Sequence, residues 1–174
     1  AEIENVLAAV AVTMRKGISK FTVATALCSY KRPQYRRQKV AEINGISVFN
    51  DSKATNVAST LSAVNAMDGD TILLVGGARG SEDFDKLFCE LSRKVVAVVA
   101  YGENREDVFA SANRYGFSTT LTDNLEDAVL KGMTIAIEHG ANNLLFSPAS
   151  KSFDSFKNYE ERGKFFDKVI ARLK

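Results

Sequence analysis

From residue 46 onward, short apolar runs alternate with amphipathic stretches, and this alternation limits the possible folds more than any other feature of the chain. Runs with strand character lie near 46–50, 71–76, 94–101, 117–121 and 143–146. Stripes with apolar residues three and four apart cover 56–66, 83–92, 104–114, 124–138 and 153–172, which predicts helices there. Strands joined through helices run parallel and cross over with the right hand, so these units predict a sheet covered on both faces. Asn44-Gly45, between two short strand-like runs, predicts a two-residue hairpin because both residues tolerate positive φ. The expected fold class is therefore α/β: a doubly wound, mostly parallel sheet with one antiparallel strand.

The front of the chain follows another pattern. Ile3, Val6, Leu7, Val10 and Met14 form a helical stripe that Lys16-Gly17 ends, and a shorter helix is expected over 20–28. Lys31, Arg32, Arg36, Arg37 and Lys39 then crowd around Pro33, an extended, solvated connector. A boundary is placed there, giving a piece of two helices over 1–33 and a domain over 34–174.

Hydrophobic residues make up 45% of the 174 residues, enough for a sizeable core. The 23 basic and 21 acidic residues nearly cancel, so no global field favours nucleic acid or an anionic membrane, and any anion site must be local. The Tyr30–Lys39 cluster alone is a poor nucleic-acid footprint. No apolar run approaches the roughly 20 residues that span a bilayer, and no leader-like segment opens the sequence, so a cytoplasmic location is expected. Cys28 and Cys89 lack metal-type or redox spacing and are expected to be buried small hydrophobes. His139, the sole histidine, precedes Gly140 at an expected helix end, where it suits the helix dipole better than a metal, and no metal site is expected.

In open parallel sheets ligands bind beyond the carboxyl ends of the strands. Three such segments stand out: Asp51-Ser52-Lys53-Ala54-Thr55-Asn56, Gly76-Gly77-Ala78-Arg79-Gly80-Ser81, and Ser147-Pro148-Ala149-Ser150-Lys151-Ser152. Each joins hydroxyls and a cation to the start of a helix, a combination that attracts carboxylates or phosphates. Thr55, Asn56 and Ser152 are equally good helix caps, and a structural role at these positions is the plain alternative. Ala78 interrupts any dinucleotide-type glycine pattern, and Gly163-Lys164 is followed by Phe165, so neither common phosphate-loop motif is present.

Read as strings, the loops say more. Asn50–Asn56 reads NDSKATN, and the chain continues with Gly76-Gly77, Leu145-Phe146-Ser147-Pro148-Ala149, Ser152 and Phe156-Lys157-Asn158-Tyr159-Glu160-Glu161-Arg162-Gly163. These resemble the D-glutamate-adding branch of the Mur ligases, and the resemblance extends over essentially the whole chain. It implies a Rossmann-like C-terminal domain, preceded over 1–33 by the last helices of a central ATPase domain. It further implies a reaction in which ATP phosphorylates the carboxylate of UDP-N-acetylmuramoyl-L-alanine and the amine of D-glutamate attacks the acyl phosphate. ATP and Mg2+ would be bound mainly by domains outside this sequence, the piece alone would be inactive, and the enzyme would be a monomer.

By the same resemblance Thr55, Ser152, Phe153 and Tyr159 line the D-glutamate pocket, and Lys53 neutralises charge near the phosphoryl group. Asp51 and Arg36 face ATP together with Asn5, and Asp51 joins Lys53 as a catalytic residue. Tyr35 stands where the family has histidine. Arg79 stands one place before the family's pocket cation, where this chain has Gly80, and is expected to serve in its stead. Two other readings stay open: a sister ligase adding a different amino acid, against which NDSKATN argues, and a non-catalytic doubly wound binding module.

Overall fold

The computed structural model describes residues 2–31 and 33–174, so Arg32 of the basic connector lies outside the described residues. Two compact units result, 1–33 and 34–174. The first holds helix α1 (Glu2–Arg15), ended by Gly17 at φ 81°, and α2 (Lys20–Ser29). The Ser19 side chain caps α2 by accepting from Thr22 N at 3.1 Å. Their apolar residues stay open: Ile3, Leu7, Val12, Phe21 and Tyr30 are all exposed.

The second unit is a six-stranded sheet in the order β1-β2-β6-β3-β4-β5. Its strands are β1 (Gln38–Ile43), β2 (Ile46–Asn50), β3 (Thr71–Gly76), β4 (Val95–Tyr101), β5 (Thr119–Leu121) and β6 (Asn143–Phe146). β1 pairs with β2 antiparallel through the Asn44-Gly45 turn, at φ 52° and 79°, and every other pairing is parallel. The helices are α3 (Val57–Asn65), α4 (Phe84–Glu90), α5 (Arg105–Arg114), α6 (Leu125–His139) and α7 (Tyr159–Ala171).

Alternation along each central strand sorts the core into two layers. Ile72, Leu74, Val99, Leu144 and Phe146 pack with α6 and α7, whereas Leu73, Val75, Val98, Ala100 and Leu145 pack with α3, α4 and α5. Burial on both faces explains why the central strands read as continuous apolar runs. His139 sits in the last turn of α6, with Nδ1 3.2 Å from Ile135 O, and Gly140 at φ 63° ends the helix.

Two expectations require correction. The last helix begins at Tyr159, not at 153. Asn158 caps it by accepting from Glu161 N at 2.8 Å, and Glu161 Oε2 accepts from Lys157 N at 2.8 Å, so the chain enters the helix only there. Residues 153–158 instead form turns, with Ser152 O accepting from Ser155 N and Phe156 N. Both cysteines are exposed rather than buried. On α4 the inward stripe is Phe84, Leu87 and Phe88, which turns Cys89 outward, and no residue of α2 is buried.

Candidate functional site

The loops that follow β2, β3, β4 and β6 meet at one end of the sheet, held by buried polar side chains. Asn50 ends β2 and is wholly buried. Its Nδ2 donates to Gly163 O at 3.0 Å and Asp167 Oδ1 at 2.8 Å, while its Oδ1 accepts from Ser52 N at 3.1 Å. The amide thus fixes the start of the NDSKATN loop against α7.

Asp51 ties β2 to β6. Its Oδ2 accepts from Ser147 Oγ at 2.8 Å and its Oδ1 from Arg37 N at 2.9 Å. Burial pushes its carboxyl up to about 6, although both hydrogen bonds and the charges of Arg37 and Arg36 oppose the shift. A raised acid binds its proton more tightly in the folded state, so the stability Asp51 contributes is fully present below the unfolded value near 3.8 and is lost as pH rises towards 6. Asp154 and Asp167, also raised by burial, act in the same sense. Asp51→Asn is therefore expected to flatten, without abolishing, the loss of urea stability between about pH 4 and 6. An unchanged slope would remove Asp51 as its main source.

Lys53 and Tyr159 form one unit. Lys53 Nζ donates to Tyr159 Oη at 2.9 Å and lies 4.5 Å from the centre of its ring. Tyr159 in turn bonds Glu160, whose carboxyl it holds below the ordinary range. The Lys53 backbone is pinned by Tyr35 O, which accepts from Lys53 N at 3.0 Å, and the buried Tyr35 ring lies against Gly163, where a side chain would collide with it.

Asn56, not Thr55, caps α3 by accepting from Ser59 N at 2.9 Å, and among the described residues the Thr55 hydroxyl has no hydrogen-bond partner. Ser152 is buried but starts no helix, and Phe153 beside it is 69% exposed. The capping alternative therefore holds for Asn56 alone. Arg36 is exposed in the connector, and Asn5 is exposed on α1 of the first unit. Arg79 turns to the acids at the start of α5: its N donates to Glu103 Oε2 at 3.1 Å, and Nε lies 3.7 Å from Asp107 Oδ2.

The double glycine has a packing reason. A Cβ at Gly76 would strike the Tyr101 carbonyl oxygen, and one at Gly77 would strike Lys151 O and crowd Arg162 Nη1. Gly76 thereby lets β3 lie close to the end of β4, and Gly77 lets the β3 and β6 loops touch. Two residues that sequence reasoning left without a role hold them together. Asn104 sits at the cap position of α5 without capping it. Its Oδ1 accepts from Gly77 N at 3.0 Å, and its Nδ2 donates to Ala78 O at 3.1 Å and Ser150 Oγ at 2.9 Å. Arg162, at the N-terminal end of the inward stripe Phe166, Val169 and Ile170, is wholly buried and donates to both Ser52 and the 150–151 backbone. An arginine on the apolar stripe of a helix was the available signal for it.

Fold and site together define a doubly wound α/β domain whose strand-end loops gather a lysine, hydroxyls and an open aromatic ring, an arrangement suited to receiving an anionic small molecule. The chain belongs to the Mur ligase family: the family model for the Mur ligase, glutamate ligase domain matches residues 35–147. The UDP-N-acetylmuramoylalanine–D-glutamate ligase of Caldanaerobacter subterraneus subsp. tengcongensis is 36% identical over 175 residues, covering 99% of this chain and 38% of the relative. The enzyme of the same name from Chlorobium limicola is 39% identical over 174 residues, covering 98% of this chain and 36% of the relative. The chain thus spans little more than a third of the length of these relatives. Among solved structures, a pseudomurein peptide ligase type C from Methanothermus fervidus superposes with a TM-score of 0.75 at 15% identity, over 99% of this chain and 36% of that one. UDP-N-acetylmuramate-alanine ligase from Thermotoga maritima gives 0.60 at 14% identity, over 99% of this chain and 38% of that one. At such identities the likeness is one of fold.

Proposed function

We propose that the chain is the C-terminal part of an ATP-dependent ligase of peptidoglycan synthesis that adds D-glutamate to UDP-N-acetylmuramoyl-L-alanine through an acyl phosphate. Residues 1–33 are the end of its central ATPase domain, 34–174 receive the amino acid, and the piece alone is inactive. The observation that carries the reading is the NDSKATN loop, anchored at the strand end with Lys53 stacked on Tyr159. The D-glutamate ligases matched over nearly the whole chain support the same substrate.

D-Glutamate brings two carboxylates and an amine that must stay free to attack. Thr55, with its hydroxyl uncommitted, and Ser152 donate to a carboxylate, Phe153 and Tyr159 wall the pocket, and Lys53 opposes the negative charge that grows in the transition state. Arg79 grips the second carboxylate after its 66% exposed side chain releases Asp107 and the Glu103 carbonyl, long contacts given up at little cost. The exposed Arg36 fits a nucleotide phosphate, and Asn5, exposed on α1, is assigned to ATP by the family resemblance. Asp51, buried with Oδ1 accepting from Arg37 N and Oδ2 from Ser147 Oγ, fixes the Arg36-Arg37 loop on the ATP-facing side of the domain and joins Lys53 in the chemistry. Mg2+ and most of the ATP contacts are assigned to the remainder of the protein.

In the full-length protein Thr55→Ala is expected to raise KM for D-glutamate about tenfold or more, the worth of one hydrogen bond to a charged group. The UDP-substrate KM should stay put, and so should thermal stability, since Asn56 holds the cap. Lost stability with a normal D-glutamate KM would return Thr55 to a structural role. Arg79→Ala should raise the same constant at least as far with the ATP constant unchanged, and no effect would pass its role to Lys151.

A further inference from the structure

We infer that Arg162 is a positioning residue for the amino-acid subsite: a buried cation that sets the three acceptor loops in register and leaves a net positive charge beneath them. The inference rests on the D-glutamate reading above. Arg162 Nε donates to Ser52 Oγ at 3.1 Å and Nη2 to Ser52 O at 2.8 Å, while Nη1 donates to Ser150 O at 3.0 Å and Lys151 O at 3.1 Å. One rigid guanidinium thereby joins the loop after β2 to the loop after β6. Gly77 of the third loop packs directly on Nη1 and on the Lys151 carbonyl. The held residues lie within two places of those assigned to the substrate: Ser52 precedes Lys53, Lys151 precedes Ser152, and Gly77 lies two places before Arg79.

The charge balance is unusual. Arg162 has no exposed surface, and among the described residues no carboxylate lies within salt-bridge distance of it. Asp154 is close enough for its carboxyl to be lowered by Arg162, but burial raises that carboxyl by more, and its Oδ1 accepts no hydrogen bond. The buried Tyr101 hydroxyl near Arg162 also lacks a completed hydrogen bond. A buried cation that forms no contact ion pair stabilises a fold less than an apolar residue of the same volume. Loops that receive a dicarboxylate gain from a fixed positive charge below them and from carbonyls already committed to it rather than facing the anion.

The test uses the full-length protein with Arg162→Lys, which keeps charge but loses the planar fork, Arg162→Met, which loses both, and Ser52→Ala, which removes the Nε acceptor together with the hydroxyl that donates to Tyr159 O. Expected are rises in KM for D-glutamate of about tenfold for the lysine variant and about a hundredfold for the methionine variant, with ATP and UDP-substrate constants within about twofold of wild type. A purely structural role would instead lower the maximal rate with the folded fraction and leave the D-glutamate KM unchanged, and that result overturns the inference. If the arginine variants do not fold, Ser52→Ala decides: a rise of about threefold or more supports it and an unchanged constant overturns it. A wild-type protein that fails to use D-glutamate would show instead that the underlying reading is wrong.

Discussion

Lys53→Met in the full-length protein is expected to lower kcat/KM for D-glutamate about 10²- to 10³-fold, the usual loss when a preorganised charge-stabilising donor is removed from an acyl-transfer site. The side chain is poised for this role. It is half-buried, its ammonium is held by the Tyr159 hydroxyl and ring, and its backbone is fixed by Tyr35 O. Tyr159→Phe keeps the ring and removes only the hydrogen bond, so its loss should stay within about tenfold. Lys53→Arg should not restore full rate, because a planar guanidinium cannot reproduce a point charge above the ring. Phosphate release at saturating ATP and UDP substrate measures all three. Activity within about threefold of wild type in Lys53→Met would take Lys53 out of the chemistry.

The second large effect concerns folding and needs only the 174-residue chain. Gly76→Ala is expected to destabilise it by about 3 kcal/mol or more, because φ 136° is a conformation that L side chains rarely adopt and because the new Cβ meets the backbone carbonyl of Tyr101. Backbone in the centre of a parallel sheet cannot move aside cheaply. Gly116→Ala is the control. Its φ of 79° is also positive but nothing lies near the added methyl, so about 1 kcal/mol should be lost. Urea denaturation of the two variants separates strain from collision, and equal losses would show that the contact with Tyr101 contributes nothing.

Most of the fold was legible because one period governs each element. Leu144, Leu145 and Phe146 read as strand since both faces of a central parallel strand are buried, and Asn44-Gly45 read as a hairpin since its turn demands positive φ. The start of α7 was misplaced because the apolar residues Phe153 and Phe156 extend the helical stripe backwards, whereas the chain obeys the Asn158–Glu161 cap. The site was legible where chemistry sits in contiguous loops, as in NDSKATN. Asn104 and Arg162 were missed because their contacts join residues far apart in sequence, Arg162 to Ser52 across 110 positions, and no local pattern encodes them. Gly76-Gly77, read from the sequence as part of an anion-attracting loop that falls short of a dinucleotide-type pattern, is where two loops and a strand end touch.

The central claim is the identity of the amino acid received by the loops after β2, β3 and β6. It is tested most directly by giving the full-length protein ATP, Mg2+, UDP-N-acetylmuramoyl-L-alanine and an equimolar mixture of D-glutamate, L-glutamate, L-alanine and meso-diaminopimelate, and identifying the ligated product by mass and chirality. The predicted result is the D-glutamate adduct, with L-glutamate, which carries the same charges in mirror-image placement, excluded by about 10³-fold or more in kcat/KM. Ligation of any other member of the mixture at a rate equal to or above that of D-glutamate would contradict the account.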